Sequence, residues 1–419
     1  MQTIHIIGAA LFGLALLHTF AAKSFEVLAH RHPRHAGLFH LLGEVEVVFG
    51  FWAFILMGAL AVLNGGQAAI AYAESRQYTE PLFVFVVMVV AASRPVMEIV
   101  QRTLLALARR MPMPAELALV WFGMALVPLT GSLITEPAAM TLAALMLAPL
   151  VFRDGIPEWK KYAALGVLFV NVSIGGLLTS YAAPPVLMVA ATWDWNTAHM
   201  AAQFGWKATL AVLFNASAIS YVLRQHLRAP ARSDSTETDN TPAIPLAVTA
   251  IHLAFLAAVV VLGHHPVLFM GVFMLFLGFT QAYQRYQHPL IIKEGLLVGF
   301  FLAGLVVLGG MQQWWLQPIV ESLPPLALFF GAMSLTAITD NAALTYLGSL
   351  IETITPASQY MLVAGAVTGG GLTVIANAPN PAGAALLRRG FHDQSISALG
   401  LLAGALPPTA IAALAFLLL

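Results

Sequence analysis

The phrase Ile134-Thr135-Glu136-Pro137-Ala138-Ala139-Met140-Thr141 returns later in the chain as Ile338-Thr339-Asp340-Asn341-Ala342-Ala343-Leu344-Thr345. Each copy sets one carboxylate, Glu136 or Asp340, in an otherwise apolar stretch. A second phrase follows each of them. Gly175-Gly176-Leu177-Leu178-Thr179 leads to Ala183-Pro184-Pro185, and Gly370-Gly371-Leu372-Thr373 leads to Ala378-Pro379-Asn380-Pro381. The order is the same in both halves, so the chain must fold as a duplication whose repeated parts are polar and interrupted.

The medium of that fold follows from composition. Hydrophobic residues make up 59% of the 419 residues and charged residues 9%. Soluble domains carry roughly 25% charged residues, so lipid is the expected solvent. At about 20 residues per span the chain holds about ten to twelve crossings and no sizeable soluble domain. A formal charge of zero gives no basic surface for nucleic acid, and the absence of cysteine excludes disulfides and thiolate metal sites. The start, Met1-Gln2-Thr3-Ile4, lacks a basic region, so residues 4–22 read as a first span rather than a cleaved signal.

Two apolar runs, 116–152 and 323–353, are too long for one span and too short for two. The acidic phrase interrupts both, and Pro137 removes a helix donor there. Each is expected to be a re-entrant hairpin that turns at its carboxylate. Loop charge agrees, because cytoplasmic loops are enriched in Lys and Arg. With hairpins on opposite sides, 16 of the 19 basic residues fall in cytoplasmic segments, all but Arg76, Arg94 and Lys207. The expected fold is an all-α polytopic membrane protein of two inverted repeats. It has about ten spanning helices, two re-entrant hairpins and two unwound spans. The first repeat covers 1–226, with its hairpin at 116–152 and unwound span at 162–192. The second covers 243–419, with its hairpin at 323–353 and unwound span at 357–387. A cytoplasmic tether, 227–242, rich in Ser, Thr, Asp and Pro, joins them.

A carboxylate at bilayer depth costs at least ~2.5–3.5 kcal/mol on insertion scales, and is tolerated facing a cavity, binding a cation or protonated. Burial favours the protonated form and a bound cation the ionised one. One buried acid can therefore hold either a proton or Na+, the simplest basis for exchange. Thr135, Thr339 and Asn341 bring oxygen ligands beside Glu136 and Asp340. Gly175, Gly176, Gly370 and Gly371 permit unwinding and close backbone approach. Thr179, Thr373, Asn377 and Asn380 are polar groups near those breaks, and Asn171 lies before the first one. Arg94 and Glu98, spaced i,i+4, read as a lock between themselves or as a counter-charge for Glu136. Lys207 reads as a snorkelling residue or a proton partner of an acid. Glu44 and Glu46 begin their span as interfacial residues or as part of a cation path.

These segments resemble the ion transporter superfamily. The Thr135-Glu136-Pro137 tip and its twin are similar to the hairpin tips of the divalent anion/sodium symporters. The Gly175-Gly176…Pro184-Pro185 stretch is similar to their unwound loop. Thr339-Asp340-Asn341 is closer to the NhaD-type Na+/H+ antiporter branch. The resemblance implies a homodimer with a scaffold and a moving domain, ion sites between each hairpin tip and the following loop, and elevator-like alternating access. Both tips here are acidic and lack Lys or Arg, which disfavours an anionic substrate.

The expected function is Na+ (or Li+)/H+ antiport in a bacterial inner membrane, with Na+ at the Glu136 and Asp340 sites and no other cofactor. The alternative is a sodium-coupled di- or tricarboxylate symporter or an anion efflux permease of the same fold. An intramembrane enzyme would need a constellation such as His-Glu-x-x-His, which the sequence lacks.

Overall fold

In the computed structural model, which describes residues 2–227 and 242–419, all regular structure is helical and no strand occurs among the described residues. The tether expected at 227–242 falls almost wholly outside them. The helices that matter here are α1 (Gln2–Arg31), α2 (Val45–Asn64), α3 (Thr79–Ala91), α4 (Arg94–Ala108), α5 (Ala115–Met124), α6 (Leu126–Ile134) and α7 (Glu136–Leu147). They continue with α8 (Glu158–Gly175), α9 (Pro184–Ala190), α10 (Trp206–Leu223), α11 (Leu246–Val261), α12 (Pro266–Ala282) and α13 (Ile292–Gly309). The chain closes with α14 (Pro325–Thr336), α15 (Asn341–Ser349), α16 (Pro356–Gly369), α17 (Asn380–Leu387) and α18 (Ala398–Leu418).

Five helical stretches among the described residues are long and apolar enough to cross a membrane, and up to seven if each of two bent pairs counts as one span. The bent pairs are α3–α4, at 64°, and α5–α6, at 42°. Neither bend was expected from the sequence. The first follows from Pro95 at the start of α4, which lacks an amide hydrogen and clashes with a continuing helix.

The repeated phrases break helices as expected. Between α6 and α7 the chain turns on Thr135 alone, which sits at φ 76° and ψ 153°. That region is nearly exclusive to glycine and costs a β-branched residue about 1–3 kcal/mol. Residues 337–340 separate α14 from α15. The span after each hairpin ends at its glycines, α8 at Gly175 and α16 at Gly369, and resumes at α9 and α17, whose first turns contain proline.

Glycine also sets the closest helix contacts. A Cβ on Gly404 of α18 would strike the Tyr162 carbonyl of α8, and one on Gly304 of α13 would strike the backbone of Phe49 and Gly50 in α2.

The halves are interwoven. One apolar cluster joins α5–α8 and α10 to α16 and α18. A second joins α1 and α2 of the first half to α13 of the second. A third joins α11 and α12 of the second half to α3 of the first. The broken spans cross over too. The resumed piece α9 packs on α15, and its counterpart α17 packs on α7. Segments 116–152 and 323–353 therefore each pack against the resumed piece of the other half's broken span.

Candidate functional site

Glu136 opens α7 and is fully buried. Its Oε2 accepts a hydrogen bond from Asn377 Nδ2 at 2.9 Å, and its Oε1 has no partner among the described residues. Gly176 faces it from the first unwound loop, where a Cβ would stand 2.8 Å from Oε1. The site was expected between the hairpin tip and the loop that follows it. Gly176 of that loop does face Glu136, and the crossing of α17 onto α7 adds Asn377 from the other half, 241 residues away.

Among the described residues, buried polar atoms without partners gather at the helix breaks: Thr135 Oγ1, Thr336 Oγ1, Asn341 Nδ2 and Oδ1, Asn377 Oδ1 and Asn380 Oδ1. These residues are all 2% exposed or less. Buried polar groups ordinarily find partners, so orphan oxygens gathered at helix breaks mark a place built to receive something. Asn341 stands against Gly370, and its amide nitrogen would be 2.9 Å from a Cβ there, while its backbone N–H donates to Ala376 O at 3.1 Å. Asn380 Nδ2 donates to Gly370 O at 2.7 Å and Thr373 O at 2.9 Å, bracing the second loop.

The contacts correct the pairing of Glu136 with Asp340. In the first half, Asn171 contacts the Met124 carbonyl, Gly175 lies against Pro128 O, and the Thr179 hydroxyl donates to Ser132 O at 2.7 Å. In the second, Gly365 lies against Phe329 O, Gly369 against Met333 O, and the Thr373 hydroxyl donates to Ala337 O at 2.8 Å. The hairpin residues Met124, Pro128 and Ser132 therefore match Phe329, Met333 and Ala337. Counting on from Ser132 and Ala337, Thr135 matches Asp340 and Glu136 matches Asn341. The aligned phrases are one residue out of structural register.

The two acids thus occupy different environments. Asp340 is the N-cap of α15, its Oδ1 accepting from Ala342 N at 2.8 Å and Ala343 N at 3.2 Å, and it is half-buried beside a cavity. Asn377 has Ala183 as its counterpart, so the second half-site holds Asn341 and Ala183 where the first holds Glu136 and Asn377, respectively. Because asparagine caps helices about as well as aspartate, Asp340→Asn should leave stability nearly unchanged, while Asp340→Ala should cost ~0.5–2 kcal/mol. Thermal melts of the purified variants check this.

Other expected residues have structural work. The Thr339 hydroxyl donates to Leu335 O at 2.8 Å, within its own turn. Thr179 and Thr373 bolt the loops to the hairpins. Gly371 allows the second loop to approach the Val170 backbone. Asn171 lies outside the site: its Nδ2 donates to Met124 O and Val212 O, and its Oδ1 accepts from Asn215, tying α8 to α5 and α10. Arg94 pairs with Glu98 at 3.5 Å and donates to Pro242 O at 3.1 Å, and Glu98 also pairs with Arg102. This is the lock; Arg94 does not serve as a counter-charge for Glu136. Lys207 donates to the Tyr360 hydroxyl at 2.8 Å and not to an acid. Ser132 and the positive φ of Thr135 went unnoticed in the sequence. The Ser132 hydroxyl donates to Gly175 O at 2.7 Å and accepts from Leu178 N at 3.0 Å, holding the first break in shape.

A model of the family described as "Putative Na+/H+ antiporter" matches residues 3–419. No curated relative matches the chain. Among solved structures, the YdaH transporter of Alcanivorax borkumensis is similar at 14% identity and a TM-score of 0.45, over 89% of this chain and 96% of that one.

Proposed function

The chain belongs to the putative Na+/H+ antiporter family, and from that premise we propose that it exchanges Na+ or Li+ for H+ by alternate occupation of Glu136. The observation that carries this reading is a fully buried carboxylate with one amide hydrogen bond and, among the described residues, no paired base, beside orphan oxygens at the helix breaks. Ionised and unpaired, such a group costs several kcal/mol. A proton removes the charge, and a small cation balances it and occupies the hard oxygens that Thr135, Asn341 and Asn377 supply. Each occupant excludes the other, which couples the two fluxes.

The same geometry disfavours the organic-anion reading. α7 and α15 begin at the centre, and a helix N-terminus attracts anions. Here the protein's own Glu136 and Asp340 stand at those ends, so an incoming carboxylate would meet like charge. Asp340 serves this cycle from the rim, as a capped second acid that raises the local concentration of cations.

The wider arrangement we propose is two inverted halves, 1–226 and 243–419. About ten helices span a bacterial inner membrane, with hairpins 116–152 and 323–353 entering from opposite sides. The α1–α2–α13 and α3–α11–α12 groups form the scaffold, in a homodimer.

Competition at one acid has a definite sign. As pH falls, protons displace the cation, so the half-saturating Na+ concentration rises, by up to about tenfold per pH unit where one proton competes with one cation. Na+-driven proton movement in proteoliposomes across a pH series reads this directly. A half-saturating concentration independent of pH would refute exchange at a shared carboxylate.

A further inference from the structure

Glu46 has no place in the exchange described above. It lies in the first turn of α2 and is half-buried. Two crevices meet at it. One is lined by Glu46, Thr339, Asp340, Asn377 and Ala378, with Phe49 and Phe301 as its apolar wall. The other is lined by Glu44, Glu46, Lys293, Pro137 and Ala378, and so runs from the surface pair Lys293–Glu44, 3.3 Å apart, to the residue beside Glu136. Glu46, Val298 and Ala378 belong to both. Asn377 joins this space to the buried centre. It is fully buried, its Nδ2 donates to Glu136, its Oδ1 has no partner among the described residues, and the residue borders the first crevice.

We propose that Glu46, Asp340 and the free Oδ1 of Asn377 form a staging site for a monovalent cation on the way to Glu136, with the Lys293–Glu44 pair at its mouth. This rests on the exchange reading for the direction of travel but not for binding itself. Two carboxylates facing one cavity, one of them fixed as a helix cap, need a cation or a proton between them. An amide oxygen supplies a neutral ligand, and one Asn377 side chain then serves both stations: its nitrogen holds Glu136 while its oxygen meets the approaching ion. The apolar wall of Phe49 and Phe301 keeps the cavity poor in competing water ligands, which strengthens the attraction. Lys293 is an exposed cation at the rim, its side chain 72% exposed, so its pairing with Glu44 can open at little cost in packing.

Two readouts on the full chain test this. The first is carbodiimide modification of the purified protein in detergent, with residue 46 followed by peptide mass spectrometry. Na+ or Li+ should protect Glu46, and the protection should persist in Glu136→Gln and be lost in Asp340→Asn. The second is Na+-driven proton movement. Glu46→Gln should raise the half-saturating Na+ about tenfold, with a much smaller effect on the maximal rate, and Glu46→Asp should restore most of the affinity. Protection of Glu46 without proton movement in the wild type would sink antiport yet keep the staging site. Modification of Glu46 unaffected by Na+, Li+ or K+, or protection unchanged in Asp340→Asn, would overturn the staging site whatever the transport result. Loss of the maximal rate rather than affinity in Glu46→Gln would also overturn it, by making Glu46 a coupling acid.

Discussion

Glu136→Gln abolishes cation-driven proton movement, leaving the response of vesicles without the protein, while the purified variant melts at or above the wild-type temperature. The two halves of this expectation have one cause. The amide keeps the shape of the side chain and can still accept from Asn377. It can neither take up a proton nor balance a cation, so the exchange stops. It also lacks the cost of an unpaired buried charge, which is several kcal/mol for an ion removed from water. Function here opposes stability, as is common where a site holds strained or unsatisfied groups. Everted vesicles with sodium, lithium and potassium measure the first effect, and thermal melts in detergent the second. A variant that lost transport together with its fold would point instead to a structural acid.

Asn377→Ala is expected to weaken the cation by 10–100-fold, the usual effect of removing a partner that orients a ligand. The loss should show in the half-saturating Na+ concentration before the maximal rate. Among the described residues Asn377 is the only hydrogen-bond partner of Glu136, and it comes from the opposite half of the chain. Truncation frees the carboxylate to rotate and removes one amide oxygen from the centre. Replacing its counterpart in the contact pattern, Ala183, by glycine should change neither quantity much, because no hydrogen bond is lost. Transport assays of both variants at one pH separate the two sides of the site. Equal effects at 183 and 377 would contradict the asymmetry.

Much of this was legible in the sequence, for reasons that can be located. The breaks at Thr135, Gly175–Gly176 and Gly369–Gly371 were readable because proline and glycine act locally on the backbone, and the one at Asp340 because it repeats the first acidic phrase. Glu136 was readable because an acid in an apolar run is costly wherever it lands. The register was not. Ile-Thr-acid-x-Ala-Ala aligns best one residue away from the true correspondence, since the equivalence is set by which carbonyl each loop residue meets. Pro128 O against Gly175 and Met333 O against Gly369 are facts of packing. The Glu136–Asn377 bond was hidden for a related reason: it exists because α17 packs on α7, an exchange between halves that no local pattern encodes. Arg94 shows the reverse case: its i,i+4 spacing to Glu98 is local, and of the two readings the sequence left open the lock is the one its contacts support.

The most direct test of the claim that proton and cation share Glu136 is proton release on cation binding. Purified wild-type protein in weak buffer would receive Na+ while a pH indicator is followed, alongside Glu136→Gln. The expected result is release that saturates with Na+ in the wild type and is absent in the variant. Na+ binding without release, or equal release from both proteins, would contradict it.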